Sequence, residues 1–310
     1  MAAVAYLWTG LCAKFDILFL QKAMVVTLPC LAVARLKRKC VIIDFDDLDS
    51  HWQAPGWKAC LTRAGEYLMP RWADAITTHN TYLKAYLDRI CPKPKYVIPQ
   101  GVDSTLFNRN RRDGDLRRQD LGLSGKKVLC FLGSFTRGSA ADLDIILEAV
   151  RILTDRNEHF VLMIVGGEGP LEEQYRQDIE RLGLTRRVII SGRVDQKEVP
   201  CYLRLADYGL VCMRDNMSNR FRVSLKVLEY LAMGLTVIGH VVGGTRDALG
   251  DFCFLCEPTA QSLAETIQRV SMGKLRKKSA RDFIVKNLDW EIFVPLLDHV
   301  IKDCQRAKML

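Results

Sequence analysis

Short apolar runs alternate along the chain with longer stretches in which apolar residues recur at helical spacing. The runs are continuous and rich in β-branched residues, which is typical of strands buried on both faces of a parallel sheet. Strands are predicted at residues 15–20, 40–45, 75–78, 96–99, 127–132, 160–165, 187–191, 208–213 and 235–239. Helices are predicted near residues 23–38, 56–70, 80–90, 141–156, 170–182, 260–272 and 289–307. This alternation predicts an α/β fold with doubly wound sheets.

A polar and charged segment, residues 109–125, interrupts the alternation and predicts a linker. The expected fold is therefore two doubly wound parallel-sheet domains with a linker between them. The first would cover residues 1–108 and the second residues 126–288, and the last helix, residues 289–310, would pack back towards the first domain. A length of 310 residues fits two domains of ordinary size.

The cysteine content indicates reduced thiols in a cytoplasmic setting. Eleven cysteines are scattered along the chain, without the spacing of a disulfide framework. Cys253 and Cys256 have CxxC spacing, but no second pair or histidine cluster supports a metal site, and their flanks are typical of a strand entering a turn.

The chain has a net charge of +9, and some of its basic residues form two clusters in the sequence. Their members are Arg109, Arg111, Arg112, Arg117, Arg118, Lys274, Arg276, Lys277, Lys278 and Arg281. They are either solvated surface or sites of attraction to anionic lipid headgroups. Nucleic acid is not expected as a partner, because aromatic residues are not interleaved with the basic ones. The apolar runs of the first 34 residues are too short to span a bilayer, and no charged region precedes them as in a signal peptide.

One stretch, residues 219–239, combines a loop, a helix and a short strand. Ser224 is a candidate helix cap, and Gly234 lies where a helix ends in a left-handed residue. Lys226 and Glu229 are three residues apart and so share one side of the helix. The helix N-terminus and Lys226 would attract an anion, and Glu229 would accept hydrogen bonds from sugar hydroxyls. The sequence therefore predicts a nucleotide-sugar site.

Each of these side chains also has an ordinary structural alternative. Lys226 fits an exposed helix lysine, and Glu229 fits a surface ion pair with a residue such as Arg222. Arg137, in the turn after residues 127–132, is either a solvated cation or a second contact to the diphosphate.

Glycine turns follow several predicted strands, where they allow a ligand to approach the backbone. They contain Gly133, Gly166, Gly167, Gly192, Gly243 and Gly244. None has the spacing of a P-loop or a convincing dinucleotide fingerprint. A single turn of this kind is weak support for a site, whereas several at one sheet edge carry more weight.

An acidic turn, residues 44–52, follows the second predicted strand at the edge where open α/β sheets bind ligands. Its carboxylates are those of Asp44, Asp46, Asp47 and Asp49. They could bind a metal, act as acid or base, or form caps and turns. The histidines His79, His159 and His240 have no partners at ligand or triad spacing and are expected to be structural.

Seven motifs together resemble one known family. They are IPQGVDSTLF (98–107), FLGSFTRG (131–138), VGGEGP (165–170), VIISGRV (188–194), VPCYLRLADYGL (199–210), KVLEYLAMGLTVIG (226–239) and GGTRDAL (243–249). The chain resembles the retaining, nucleotide-sugar-dependent glycosyltransferases of family four, which have the GT-B fold. The resemblance implies two Rossmann-like parallel-sheet domains that face a cleft. The variant of the family with a lysine three residues before the glutamate, as found here, is similar to enzymes that build bacterial cell-surface polysaccharides.

The resemblance implies an enzyme that moves a sugar from a nucleotide-diphosphate sugar to a glycan or lipid-linked acceptor, with retention and without a metal or other cofactor. An anionic membrane surface is a further candidate partner. The implied location is the cytoplasm or the cytoplasmic face of the membrane. The alternative is a weakly active or inactive relative that binds a nucleotide sugar or serves as a partner subunit.

The resemblance also implies residue roles. Glu229 would bind the ribose hydroxyls, and Lys226 and Arg137 would bind the donor diphosphate with the N–H groups of Ser224 and Leu225. The remaining donor-binding residues would be Gly133 and, near the base, Gly192, Arg193 and Val194. Asp46 would lie near the reacting sugar carbon, so that Asp46 and Glu229 are the implied catalytic residues.

The sequence departs from the family pattern in three ways. Relatives carry a second glutamate eight residues before the first, and Phe221 stands in its place. Ser134 stands where an arginine is common. The first clear strand matches a later strand of relatives, so the amino-terminal domain is expected to be incomplete.

Overall fold

The computed structural model describes residues 2–110, 117–140, 142–156, 158–275 and 279–309. Part of the predicted linker and five residues of the basic clusters, Arg111, Arg112, Arg276, Lys277 and Lys278, lie outside the described residues. The chain divides into two compact units. Unit 1 consists of residues 1–100, 220–223 and 290–310, and unit 2 of residues 101–219 and 224–289.

The strands are short and mostly buried. In the described residues they are β1 (Ile17–Gln21), β2 (Cys40–Asp44), β3 (Ala75–Thr78), β4 (Lys95–Val97), β5 (Lys127–Gly133), β6 (Phe160–Gly166), β7 (Val188–Ile190), β8 (Tyr208–Cys212), β9 (Thr236–His240) and β10 (Cys253–Leu255).

Helices connect the strands and follow the last of them. They are α1 (Ala2–Cys12), α2 (Leu28–Leu36), α3 (Trp57–Leu68), α4 (Thr81–Ile90), α5 (Leu143–Asp155), α6 (Glu172–Arg181), α7 (Val199–Leu203), α8 (Met217–Arg220), α9 (Leu225–Ala232), α10 (Gly243–Leu249), α11 (Ala260–Ser271), α12 (Arg281–Asn287) and α13 (Trp290–Met309). Short 3-10 helices lie at Val25–Thr27, Asp49–His51, Met69–Trp72 and Gly250–Phe252. Within the described residues, no helix is both long and apolar enough to cross a membrane.

Unit 1 contains a parallel sheet in the order β1-β2-β3-β4. Successive side chains of a strand point to opposite faces, so β2 contributes to two apolar clusters. Cys40 and Ile42 pack with Val300 and Cys304 of α13. The alternate residues of β2 join the cluster on the other face, which contains residues of α2 and α4. The last helix of the chain is therefore part of the core of unit 1.

Unit 2 contains a parallel sheet in the order β10-β9-β8-β5-β6-β7. The chain proceeds outwards from β5 through β6 to β7, and then returns to the other side of β5 with β8. The strand order therefore reverses between β5 and β8. Ligands of open α/β sheets bind beyond the carboxyl ends of the strands at such a switch point.

Two parallel sheets with connecting helices confirm the predicted α/β class, whereas some element limits differ from those predicted. Strand β4 covers Lys95–Val97 rather than residues 96–99. The predicted helix at residues 23–38 is a 3-10 turn followed by α2, which has a proline in its first turn. Helix α1 was not predicted because its eleven residues carry no charged side chain, and so show no polar face.

Candidate functional site

The turn after β5 lies at the switch point and begins with Gly133. This glycine has φ +156°, and a Cβ atom there would lie 2.4 Å from the Ser139 Oγ and 3.3 Å from the Lys226 Nζ. A larger residue would therefore displace both side chains. The carbonyl of Gly133 accepts a hydrogen bond from the N–H of Gly167, and this bond joins the turn after β5 to the turn after β6.

A cavity of about 470 Å³ opens at this edge of the sheet. It is lined by Leu132, Gly133, Ser134, Val165, Gly166, Gly167, Glu168, Gly169, Arg193, Val194 and Val199. The Glu168 Oε1 accepts a hydrogen bond of 3.0 Å from the N–H of Arg193, which joins the turns after β6 and β7. Gly133, Arg193 and Val194 of the predicted site thus line one cavity, and Gly192, with φ +73°, precedes them in the β7 turn.

Helix α9 begins where the sequence predicted, but Ser224 does not cap it in the predicted way. Its backbone has the extended conformation of an N-cap residue, and its side chain makes no capping hydrogen bond. The N–H of Ser224 donates to the Thr245 Oγ1 at 3.0 Å, in a buried position. The predicted capping bond is therefore wrong, and the N–H group that was assigned to the diphosphate has a protein partner. Leu225, the next residue, is exposed.

Lys226 is half-buried and points to the glycine turn after β5 rather than to open solvent. Its Nζ donates a hydrogen bond of 2.9 Å to the carbonyl of Ser139. The same atom lies 4.1 Å from the centroid of the Phe131 ring, which is a cation–π contact. The ammonium group therefore stands beside Gly133, in the turn that bounds the cavity.

Glu229 lies almost one helical turn after Lys226 and is also half-buried. Burial raises the pKa of this carboxyl group to about 7, and the nearby Lys226 charge lowers it in part. The group is therefore divided between its protonated and ionised forms near neutral pH. A half-buried acid beside a cation is the arrangement that the hydroxyl-acceptor interpretation needs.

Tyr230 fixes helix α9 to strand β5, and sequence reasoning missed it. Its hydroxyl accepts a hydrogen bond of 2.6 Å from the N–H of Leu132 and donates to the carbonyl of Cys130 at 3.2 Å. Its ring packs on Gly209 of β8, where a Cβ atom would lie 2.5 Å from a ring carbon. The signal in the sequence is that glycine, because a glycine inside a strand often marks a close approach.

Arg137 is exposed on the loop between Gly133 and Ser139. Within the described residues it makes no hydrogen bond or ion pair, and it does not line the cavity. The structure therefore places it on the predicted turn without bringing its side chain to the other candidate residues.

Asp46 lies in unit 1, in the turn after β2. Its carboxylate is 3.7 Å from the Lys22 Nζ, and its backbone carbonyl is 2.8 Å from the His79 Nε2. Burial raises the pKa of Asp46, while Lys22 and His79 oppose this rise. Among the described residues its Oδ1 is buried without a hydrogen-bond partner.

The other three acids of this turn have structural partners. Asp44 accepts a hydrogen bond of 2.6 Å from the Thr77 hydroxyl, and Asp49 accepts one of 2.7 Å from the Lys22 Nζ. Asp47 accepts from the indole N–H of Trp52 and from the next backbone N–H. In the described part of the chain, these acids form no group of three metal-ligand side chains. Three of the four acids therefore fit the alternative in which the acidic residues form caps and turns.

Phe221 lies in unit 1, although the residues on both sides of the 220–223 segment belong to unit 2. Its side chain is buried in the apolar cluster of unit 1, with its ring centroid 5.5 Å from that of Tyr86. Its carbonyl accepts a hydrogen bond of 2.6 Å from the Asn80 side chain. The residue in the place of the second glutamate is thus an apolar anchor, and a carboxylate there would be buried.

Comparison with known protein sequences finds similarity to a glycosyltransferase family and to sugar-transferring enzymes. Residues 126–272 match the sequence model of the family described as Glycosyl transferases group 1. TuaH of Bacillus subtilis, named as a teichuronic acid biosynthesis glycosyltransferase, is 28% identical over 213 residues, which are 64% of this chain and 50% of that protein. The alpha-monoglucosyldiacylglycerol synthase of Streptococcus pneumoniae is 28% identical over 152 residues, which are 47% of this chain and 32% of that protein. The chain thus spans half or less of the length of these relatives.

A solved structure shows the same fold. Alr3699/HepE of Anabaena, in complex with UDP-glucose, matches with a TM-score of 0.78 at 17% identity, over 97% of this chain and 82% of that one. The identity is low, so this likeness concerns the fold alone. Residues 126–272 are therefore similar to the Glycosyl transferases group 1 family, and the chain has the GT-B fold of glycosyltransferases.

Proposed function

We propose that the chain is a retaining glycosyltransferase that takes a sugar from a nucleotide-diphosphate sugar and transfers it to a glycan or lipid-linked acceptor in cell-surface polysaccharide synthesis. One observation carries the proposal: helix α9 brings Lys226 to the Gly133 turn at the switch point, beside a cavity of about 470 Å³. Glu229 follows on the same helix. A cation, a hydroxyl acceptor and accessible backbone at one sheet edge suit a nucleotide diphosphate.

In the proposed reaction, the diphosphate is the leaving group, and negative charge develops on it as the bond to the sugar breaks. Lys226 and the N-terminus of α9 stabilise that charge, which is the role that a metal ion has in other transferases. The acceptor hydroxyl attacks the anomeric carbon from the face that the diphosphate leaves, so the configuration is retained. Glu229 holds the ribose hydroxyls. Gly192, Arg193 and Val194 provide the wall of the base site.

In unit 1, the proposed catalytic group is Asp46. The support is its carboxylate Oδ1, which is buried and makes no hydrogen bond among the described residues, although it lies 3.7 Å from the Lys22 Nζ. The carboxylates of Asp44, Asp47 and Asp49 accept hydrogen bonds. Arg137 is proposed as a second contact to the diphosphate, because no protein group in the described residues engages it.

The function is tested by incubating the protein with a panel of nucleotide sugars and membrane extract, and measuring the released nucleoside diphosphate. Lys226→Met should lower release by about tenfold to a hundredfold, since a hydrogen bond to a charged group contributes about 1.5–3 kcal/mol. Lys286→Met, at an exposed position of unit 2 outside the basic clusters, is the matched control and should leave release unchanged. If no donor is bound or turned over, the proposal fails.

The second candidate function is a relative that binds the donor without transferring its sugar. Phe221 favours it, because a buried apolar anchor replaces an acid that the family resemblance places at the donor sugar. Calorimetric binding of a nucleotide sugar, without release of the nucleoside diphosphate in the presence of acceptor extract, would identify this function.

We also propose an anionic membrane surface as a partner, on the basis of helix α3. Its exposed side presents Trp57, Leu61, Ala64 and Leu68, at a spacing that forms one stripe along the helix. Trp57 is 70% exposed. The basic residues Lys58 and Arg63 are exposed as well, while Glu66, the acid of this helix, is buried and bonded to Ser50. An apolar stripe with tryptophan and cations suits the headgroup region of a bilayer.

Sedimentation with vesicles tests this surface. The protein should bind vesicles that contain phosphatidylglycerol more strongly than pure phosphatidylcholine vesicles, and Trp57→Ser with Leu61→Ser should weaken the binding. The exposed pair Val294→Ser and Ile292→Ser on α13 is the control. Equal binding by all variants would rule out α3 as the membrane surface.

A further inference from the structure

Two cysteine thiols meet in the interior of unit 1. Cys40 is the first residue of β2, and Cys304 lies near the end of α13. Their sulfur atoms are 2.6 Å apart, and both side chains are buried. Unbonded carbon atoms pack at about 3.5–4.0 Å, and sulfur is larger than carbon. The two sulfur atoms are therefore in direct contact.

A third side chain of metal-ligand type, that of Asp74, lies within 4.8 Å of the two sulfur atoms. Its carboxylate is already occupied, because it accepts hydrogen bonds from Arg35 at 2.7 Å and from the N–H of Val41 at 2.9 Å. The Lys308 ammonium lies 3.3 Å from it. Two cations beside the carboxylate oppose the binding of a metal dication.

The protonation state of Cys304 also argues against a bound metal ion. Burial and the adjacent Cys40 raise the pKa of Cys304 above its usual range, so that this residue remains a thiol. Metal ions bind thiolates, and a structural zinc site commonly has four ligands. The exchange reaction that forms a disulfide also needs a thiolate, so it can begin only when the end of α13 opens and a thiol reaches water.

We propose that Cys40 and Cys304 form an intramolecular disulfide when the chain meets a disulfide oxidant. One cysteine, as its thiolate, attacks a sulfur atom of oxidised glutathione and releases one glutathione thiolate. The other cysteine, as its thiolate, then attacks the protein sulfur of the mixed disulfide and releases the second glutathione. The protein loses two protons and two electrons, and the oxidant is reduced to two thiols.

The bond would connect two distant parts of the sequence. Cys40 and Cys304 are 264 positions apart, and all of unit 2 lies between them in the chain. A cross-link across so long a loop restricts the unfolded chain and so favours the folded state. It would also hold α13 on the sheet of unit 1. Because both thiols are buried, the reaction requires transient opening of the end of α13, and should be slower than that of the exposed Cys12 and Cys60.

Peptide mapping tests the proposal on the full chain, with Cys12→Ser and Cys60→Ser introduced to prevent links between molecules. The protein is incubated with oxidised glutathione, its free thiols are blocked with iodoacetamide, and it is digested with trypsin without a reductant. The expected product joins the peptides of residues 40–58 and 303–306, with a mass two hydrogens below their sum. Dithiothreitol should separate the two peptides.

Thermal unfolding provides a second measurement. The oxidised protein should unfold at a higher temperature than the reduced one, and Cys304→Ser should abolish both this rise and the joined peptide. Cys201→Ser, at a partly exposed position of unit 2, should change neither. The proposal is overturned if the joined peptide is absent both in buffer and in a urea concentration just below the unfolding transition. It is also overturned if one equivalent of zinc protects both thiols from iodoacetamide.

Discussion

Glu229 provides the most direct test of the site at the scale of a single residue. A carboxylate accepts hydrogen bonds from two ribose hydroxyls only when it is ionised, and the pKa of Glu229 is about 7. Donor affinity should therefore fall about tenfold between pH 8 and pH 6, as the ionised fraction falls by that factor. Glu229→Gln should bind more weakly and lose this pH dependence in calorimetric titrations. Glu265→Gln, on the exposed side of α11, should retain it.

The same carboxyl group has the opposite effect on stability. Its pKa is raised in the folded state above the ordinary 4.5, so the folded protein binds the proton more tightly than the unfolded chain. Its contribution to the free energy of unfolding therefore falls as the pH rises from 4.5 through 7. In urea unfolding, Glu229→Gln should be more stable than the parent at pH 8 and equal to it at pH 4. A variant that is less stable at pH 8 would contradict the raised pKa.

Residue spacing predicted that Lys226 and Glu229 share one side of a helix, and both lie on the short helix α9. It could not predict their surroundings, which come from distant parts of the chain. The Thr245 hydroxyl accepts a hydrogen bond from the N–H of Ser224, and these residues are 21 positions apart in the sequence. The Ser139 carbonyl accepts one from the Lys226 Nζ, and these residues are 87 positions apart. Local pattern contains no information about such pairings. The predicted capping bond of Ser224 failed for this reason.

At the scale of elements, the position of α9 depends on its contact with the strands β5 and β8. Gly209→Ala would place a Cβ atom 2.5 Å from the ring of Tyr230, which is fully buried and hydrogen-bonded to β5. The ring has no free space, so this overpacking should lower the free energy of unfolding by about 1–3 kcal/mol. Because α9 must shift, donor affinity should fall as well. Urea unfolding and calorimetry measure the two effects.

The control for this prediction is Gly250→Ala. A Cβ atom at Gly250 would meet the Arg246 Cγ at 3.2 Å, so that this side chain would need to shift by only a few tenths of an ångström. Its effect on stability should be within about 0.5 kcal/mol. If both substitutions cost the same, the close packing of Gly209 and Tyr230 does not determine the position of α9.

Strands were predicted more reliably than helices. An unbroken apolar run such as β6 is buried along nearly its whole length in a parallel sheet, so composition alone indicates it. Helix α1 has no charged residue, and the amphipathic pattern that identifies helices is absent from it. The order of strands in unit 2 could not be predicted either, because hydrophobic patterns do not specify which strands are neighbours. The switch point between β5 and β8 follows only from that order.

At the scale of the whole molecule, unit 1 is assembled from three separate segments of the chain. Phe221 illustrates why this was not predictable in detail. Its local sequence belongs to the stretch that leads into α9, yet its side chain joins the core of unit 1. Only long-range packing determines which unit a short segment joins. The contribution of the last segment, α13, can be measured directly.

Val300 lies on α13, is fully buried, and packs against Cys40 and Ile42 of β2. Val300→Asp would bury an unpaired charge there, which costs about 3–5 kcal/mol of folding free energy. All five tryptophans, at positions 8, 52, 57, 72 and 290, belong to unit 1. Tryptophan fluorescence in urea therefore reports on this unit alone. The midpoint of the fluorescence transition should move to much lower urea in this variant.

Val294→Asp is the matched control, because Val294 lies on the same helix and is 63% exposed. Its effect should remain within about 0.5 kcal/mol, as for most surface substitutions. The two variants have the same change in charge and the same loss of helix propensity at different faces of one helix. A large difference between them would show that packing of α13 on the sheet stabilises unit 1. Similar midpoints would mean that the amino-terminal segments fold without the last helix, and that α13 is only attached to their surface.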